Sequence, residues 1–304
     1  MTAVSQAPRR LIGLPAPAKL NLFLHVIGRR ADGKHLLESI FILIDLADEL
    51  DFTLRDDGAI VRTGDLECEA EKDLCVRAAA ALREAAGKSL AGAEIHVKKH
   101  IPAGAGMGGG SSDAATTLIA LNRLWGLDLP REELARIGEA LGADIPFFIR
   151  GKNAFVEGIG EIITPMDVPP AEYAVLWPGR GVSTAKIFSS PSLTRDSESL
   201  KIAIFSDLLR NRWPELPGHN DLQKTAVGLE PAILQALDAL APFGEARMTG
   251  SGSAVFALNR TGSADSASLM ERIPVDWRFF SVRSLPEHPL CAWTRSAEEE
   301  STGV

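Results

Sequence analysis

The chain has 304 residues, 45% of them hydrophobic and 24% charged, with a formal net charge of −8. A length of this order favours two domains, and a globular chain of this size buries about three quarters of the surface it exposes when unfolded. The acidic balance argues against a nucleic-acid binder, so a polyanionic ligand must meet a locally basic site. The 27 glycines exceed the average of about 7% only modestly, which excludes collagen and low-complexity linkers and makes their positions matter. Cys68, Cys75 and Cys291 form no Cys-x-x-Cys pair and no zinc-spaced cluster, which predicts a reducing compartment and no structural metal. Arg9-Arg10 precedes an apolar stretch that Pro15, Pro17 and Lys19 interrupt, so no export signal is read there. The apolar run Ile40 to Ile44 is far short of the ~20 residues of a membrane span. The expectation is a soluble, cytoplasmic protein, monomeric or a weak homodimer, without membrane or nucleic-acid partners.

In chain order, residues 1–10 and the end from about Arg295 read as loose tails. A period of two from Lys19 to Val26 predicts a strand with Lys19, Asn21, Phe23 and His25 on one face and Leu20, Leu22, Leu24 and Val26 on the other. A further strand is expected from Ser39 to Asp45, followed by an alternation at Leu50, Phe52 and Leu54. Ala78 to Ala86 predicts a helix closed by Gly87. Ile95 and Val97 suggest a strand leading through Lys98-Lys99-His100-Ile101-Pro102 into a glycine cluster. Beyond it, Ala114, Leu118, Leu121 and Trp125 lie on one helical stripe ending at Gly126, with Ser112 as N-cap and Asp113 in the first turn. Asp128 and Pro130 open the next helix and Gly142 ends it. A second half begins after Gly158-Ile159-Gly160, dividing the chain into 1–162 and 163–304, and Ser189 to Ser199 reads as loop. Strands alternating with helices indicate an α+β or mixed α/β protein.

The segment Gly104-Ala105-Gly106-Met107-Gly108-Gly109-Gly110-Ser111-Ser112 places five glycines within seven residues at a helix start. Unobstructed backbone N–H groups and a positive helix end suit phosphate. A mere flexible turn would gain nothing from such an entropy loss on folding. Gly104, Gly106 and Gly109 spell a dinucleotide G-x-G-x-x-G, but Gly126 to Pro130 is too short for the strand that should present Asp128 as its ribose acid. A Walker-type loop needs lysine where Gly110 stands. What fits is a nucleoside-triphosphate loop that borrows charge from Lys19, Lys98, Lys99 or His100.

Pro17-Ala18-Lys19-Leu20-Asn21-Leu22, the loop from Pro102 to Ala115, and Thr249-Gly250-Ser251-Gly252-Ser253-Ala254-Val255-Phe256 resemble, in order and spacing, the three motifs of the GHMP kinase superfamily. Arg29-Arg30-Ala31-Asp32-Gly33-Lys34-His35, Gly142 to Phe148, and Asn220-Asp221-Leu222 narrow the resemblance to members acting on a cytidine-diphosphate-linked methylerythritol. The resemblance runs from about residue 15 to 290. It implies an α+β, two-domain GHMP kinase fold, with a ribosomal-protein-S5-like amino-terminal domain and a ferredoxin-like carboxy-terminal domain, and ATP with Mg²⁺ as cofactors.

By the same resemblance, Asp144 accepts the proton of the acceptor's 2-hydroxyl and Lys19 lies beside it, keeping the carboxylate ionised. Lys99, Pro102, Gly104, Gly106, Gly108, Gly109, Gly110, Ser111, Ser112 and Asp73 serve the nucleotide, Lys99 and His100 through backbone near the adenine and Ser112 toward Mg²⁺, with no metal site of the protein's own. Asn21, Lys34, His35 and Phe188 serve the acceptor, Phe188 stacking on cytosine and His35 hydrogen-bonding it. Gly250 to Ser253 form a second small-residue loop against the site. Two positions depart from the family pattern: Lys34 stands where tyrosine is usual and Asp73 where asparagine is. A GHMP kinase with another acceptor, such as homoserine or mevalonate, and a nucleotide-binding sensor without catalysis remain open at this stage.

Overall fold

Two long strands carry the amino-terminal half. The alternation at Lys19 to Val26 belongs to β1 (Arg10–Arg29), and β2 (His35–Arg55) returns antiparallel beside it. The computed structural model describes residues 9–65, 68–69, 71–87, 89–199, 202–259 and 263–294, so most of the expected tails lie outside the described residues. No break separates Ser39–Asp45 from the alternation at Leu50 to Leu54. Asp45 and Asp48, within this continuous strand, are engaged: Asp45 accepts the backbone N–H of Arg283, and Asp48 accepts those of His100 and Ile101.

After this hairpin come β3 (Ile60–Gly64), α1 (Leu74–Ala86), β4 (Gly92–Lys98), α2 (Gly109–Leu124), α3 (Arg131–Glu139), α4 (Ile145–Arg150), β5 (Ala154–Gly158) and β6 (Ile162–Pro165). Then follow β7 (Glu172–Trp177), α5 (Thr184–Ser189), α6 (Ile202–Asn211), α7 (Asp221–Leu229), α8 (Ala232–Leu240), β8 (Ala246–Met248), β9 (Val255–Leu258), α9 (Ser263–Met270) and β10 (Arg278–Leu285). Among the described residues these strands form one sheet in the order β3-β4-β2-β10-β7-β9-β8, with β1 and β5 also on β2 and β6 on β5. The β3–β4 pair is parallel and the other pairs are antiparallel. The two halves meet at a short ladder, Ser284 opposite Ile44 and Leu285 opposite Leu43. In the second half the chain order β7, β8, β9, β10 becomes the lateral order β10-β7-β9-β8, with helices after the first and third strands, the ferredoxin-like arrangement.

Three apolar clusters fill the layers. Helices α1 to α4 pack on one side of the β1–β2–β4 sheet through residues such as Leu82, Leu118, Leu121 and Phe148. Leu20, Leu22, Ile40 and Ile42, on the other side, meet Tyr173, Phe205 and Phe256 of the second half. Leu222, Ile233 and Leu240 of α7 and α8 cover β7 to β9. A register irregularity between Asn21 and Leu24 shifts the phase of β1, so Phe23 joins the cluster of Leu20 and Leu22 rather than the face of Lys19, while Leu24 and Val26 join the third cluster.

The start of α2 corrects the expected cap. Gly108, in the left-handed region at φ +73, is the residue before the helix, and Ser112 lies inside it, fully buried, with Asp113 one turn further than expected. The physical reason is that Gly108 imposes no side chain on the close approach of this turn to Phe148 and Lys19, and Gly109 none on its approach to Ile101. α1 closes at Gly87 in the left-handed conformation, as expected, but begins at Leu74 rather than Ala78, because Asp73 caps it through the N–H groups of Cys75 and Val76.

Candidate active site

Lys19 and Asp144 come together. Lys19 sits in β1 with its N–H donating to Met107 O at 3.0 Å, which ties the strand to the glycine loop. Its side chain is only 5% exposed and its Nζ lies 3.7 Å from Asp144 Oδ2, donates to Asn21 Oδ1 at 2.5 Å and stands 4.5 Å from the centre of the Phe41 ring. Burial lowers the Lys19 pKa, and Asp144 opposes that fall. Asp144 precedes α4 but makes no capping bond with its side chain, so the carboxylate is left for Lys19 and for solvent, to which 31% of it is open.

Asn21 is oriented from both sides. Its Nδ2 donates to Ser39 Oγ at 2.9 Å, which points Oδ1 at Lys19, and its backbone N–H donates to Thr249 Oγ1 at 3.0 Å. The first and third motifs therefore touch. The glycine loop is locked to the third motif as well: Ser253 N–H donates to Gly104 O at 3.2 Å and Ala254 N–H to Ala105 O at 3.1 Å. At Gly106, φ is +76 and a Cβ would lie 2.3 Å from Thr249 O, so no other residue fits this contact.

Pro102, Gly104, Gly106, Gly108, Gly109, Gly110 and Ser111 line a cleft of about 310 Å³, with Leu74 on one wall and Thr184, Ser251 and Gly252 on the other. The N–H groups in the first turn of α2 have no acceptor within the helix, and the helix end is positive. The Ser112 hydroxyl is buried without a hydrogen-bond partner among the described residues. Larger cavities, about 520 Å³ beside Met166 and about 560 Å³ between Arg131 and Glu161, contain none of these residues.

Lys99 lines the same cleft, but its ammonium is not available to phosphate. It lies 2.6 Å from Asp48 Oδ2 and 2.7 Å from Asp113 Oδ2. Burial works against this ammonium, but Asp113 and Asp48 outweigh it and raise its pKa. Burial pushes the Asp113 carboxyl up to about 7 despite the pull of Lys99. The backbone expected near adenine is also engaged: Lys99 N–H donates to Asp65, His100 N–H to Asp48, and His100 O accepts from Arg278. Asp73 caps α1 through the N–H groups of Cys75 and Val76 and lies 3.3 Å from Arg62 Nε, so its neighbour Leu74, not Asp73, faces the cleft.

The expected acceptor residues divide. His35, at the start of β2, and Phe188, in α5, come together with ring centres 4.8 Å apart. The hydroxyls of Thr184, in the first turn of α5, and Ser251 are 2.7 Å apart, which ties this pair to the glycine cleft. Lys34 is exposed, and its backbone N–H donates to Asp32. Arg195, unread in the sequence, donates to His35 and to the carbonyl of Phe188; nothing local in its polar loop signals a contact across such a separation. Asp48 and Ser39 likewise carry no local signal, whereas Asp113 and Thr249 lie inside the glycine-rich motifs.

Among the described residues, no group of three or more His, Cys, Asp or Glu side chains could hold a metal ion, and no helix is long and apolar enough to cross a membrane. A family profile described as GHMP kinases N terminal domain matches residues 73–152, and one described as GHMP kinases C terminal matches 199–269. The chain is 51% identical over 277 residues to the 4-diphosphocytidyl-2-C-methyl-D-erythritol kinase of Thiobacillus denitrificans, covering 91% of this chain and 96% of that protein. To the protein of the same name from Azoarcus sp. it is 50% identical, covering 92% and 96%. A crystal structure of 4-(cytidine 5'-diphospho)-2C-methyl-D-erythritol kinase superposes with a TM-score of 0.75 at 32% identity, covering 90% of this chain and 98% of that one. A mevalonate kinase crystal structure, at 17% identity and a TM-score of 0.63, shares the fold. The chain therefore belongs to the GHMP kinase family, a family of phosphotransferases for which ATP is the expected phosphoryl donor, and within it to the group of 4-diphosphocytidyl-2-C-methyl-D-erythritol kinases.

Proposed function

We propose that the protein transfers the γ-phosphoryl group of ATP to the 2-hydroxyl of 4-diphosphocytidyl-2-C-methyl-D-erythritol, a step of non-mevalonate isoprenoid biosynthesis. The observation that carries the mechanism is the Lys19–Asp144 pair beside the glycine cleft. Asp144 takes the proton of the acceptor hydroxyl as its oxygen bonds to phosphorus and ADP leaves, and Lys19 stabilises charge on the transferring group. Asn21, fixed by Ser39 and Thr249, holds the Lys19 ammonium in place. The N–H groups of Gly109, Gly110 and Ser111 receive phosphate oxygens, while Gly104, Gly106 and Gly108 let backbone approach. His35 and Phe188 hold the cytosine, and Lys34 has the reach to meet the diphosphate.

The Ser112 hydroxyl, buried and without a hydrogen-bond partner among the described residues, suits an oxygen-seeking Mg²⁺ that would arrive with the nucleotide and neutralise phosphate charge. The two-residue ladder between the halves supports a two-part division near the proposed 1–162 and 163–304, with all of β6 (Ile162–Pro165) kept in the first part because it pairs with β5. The free cysteines among the described residues support the proposed cytoplasmic location and the net charge of −8 the proposed absence of nucleic-acid partners; a monomer or weak homodimer is the proposed state.

The test is ADP release with a panel of acceptors. The cytidine-diphosphate acceptor with ATP and Mg²⁺ is expected to give ADP and the 2-phosphate product, with homoserine and mevalonate inert. Turnover of one of those instead, or ATP binding with no acceptor-dependent ADP, overturns the proposal.

A further inference from the structure

Arg195 lies between α5 and α6, partly buried, and all of its contacts converge on the base-binding end of the proposed site. Its Nε donates to His35 Nε2 at 3.0 Å. Its Nη1 donates to Leu193 O at 3.0 Å, and its Nη2 to Phe188 O at 3.0 Å and Ser190 O at 2.7 Å. A guanidinium offers donors only and stays charged at every pH the protein meets. His35 Nε2 must therefore present its lone pair, and the proton of a neutral His35 must sit on Nδ1.

Three further observations support that state. Burial, followed by the charges of Arg195 and Arg29, lowers the His35 pKa, which keeps the ring neutral. Nδ1 has no hydrogen-bond partner among the described residues, so its N–H is left for a ligand. The Phe188 ring stands 4.8 Å away, and its carbonyl is held by the same guanidinium that holds the imidazole. The two residues assigned to the base are thus fixed relative to one another by one side chain.

We propose that Arg195 is a specificity-determining positioning residue: it holds His35 as an Nδ1–H donor, so that the site selects a pyrimidine whose ring nitrogen N3 accepts a hydrogen bond, as in cytosine, over one whose N3 donates, as in uracil. The inference rests on the proposed cytidine acceptor. A donor set against a donor leaves both unpaired away from water, which corresponds to roughly 5- to 150-fold discrimination. If His35 carried its proton on Nε2, Nδ1 would accept from uracil N3–H and the preference would weaken or invert.

Two measurements decide it. Imidazole ¹⁵N spectroscopy on the ligand-free protein reads the tautomer directly: the wild type is expected to carry Nδ1–H at His35, and Arg195→Gln to show the Nε2–H form. An Nε2–H ring in the wild type would overturn the proposal, whether or not the variant folds. Steady-state kinetics with the cytidine- and uridine-diphosphate forms of the acceptor read the consequence. R195Q is expected to reduce the cytidine preference at least about fivefold, with the KM for ATP changed by less than about twofold. In a His35→Gln background the same substitution is expected to have no further effect on base preference. A purely structural role would persist in that background and overturn the proposal, as would an undiminished preference in R195Q. If the wild type turns over neither acceptor, the acceptor reading falls and base selection with it, while an Nδ1–H signature still supports the Arg195–His35 lock.

Discussion

Lys19 and Lys34 stand at opposite ends of the proposed site and are held very differently. Lys19 is walled in by Asn21, Asp144 and Phe41, and its strand is bonded to the glycine loop, whereas Lys34 projects into solvent beside a pair of rings fixed by a guanidinium from a distant loop. At the transfer end the cost of burying a cation is met during folding, so the charge is already oriented when phosphoryl transfer occurs. At the proposed base end recognition would depend on one hydrogen-bonded ring, His35, and one stacking ring, Phe188. The first arrangement tolerates almost no change, and the second predicts smaller, substrate-specific effects.

Substitutions can break this contrast in graded steps. Lys19→Met removes the oriented charge and is expected to lower kcat about 10²- to 10⁴-fold with little change in the dissociation constant of ATP, measured by acceptor-dependent ADP release and by titration calorimetry. Lys99→Met leaves Asp48 and Asp113 buried without their cation and is expected to destabilise the fold by about 3–5 kcal/mol. A urea midpoint shift equivalent to less than about 1 kcal/mol would place this pair among ordinary surface contacts.

The same carboxylates sharpen the comparison through pH. Burial raises the Asp113 pKa above its unfolded value of about 4 to about 7, so between those limits the folded state binds more protons than the unfolded one. The stability associated with this group therefore falls as pH rises through that window. Asp113→Asn removes the titration, and its urea midpoint should vary less with pH over the same range than that of the wild type; an identical pH profile would contradict the assignment. Smallest is Phe188→Ala, expected to raise the KM for the cytidine acceptor about 2- to 12-fold while sparing the KM for ATP. Equal effects on both substrates would mean that Phe188 supports the cleft as a whole.

The transfer end was largely legible in the sequence because its chemistry sits in short motifs: a period of two places Lys19 and Asn21 on one face, and clustered glycines mark a backbone-lined helix start. Even there the helix begins at Gly109 and not after Ser112, since steric room at Gly108, rather than a capping hydroxyl, sets the boundary. The loss of phase at Phe23 needs a strand irregularity that no local pattern announces. Lys99 stood among four candidate phosphate cations because its partner Asp48 lies on a strand that pairs with β4 only in three dimensions. Arg195 was invisible for the same reason: its value to His35 comes from tertiary contact across the chain.

The central claim is that Asp144, paired with Lys19, takes the acceptor's proton. Single-turnover phosphoryl transfer by Asp144→Asn, with ATP–Mg²⁺ and the cytidine-diphosphate acceptor at saturation, tests it most directly. The rate is expected to fall about 10²- to 10⁴-fold while ATP binding stays within about twofold of the wild type; transfer at a near-normal rate would remove Asp144 from the mechanism.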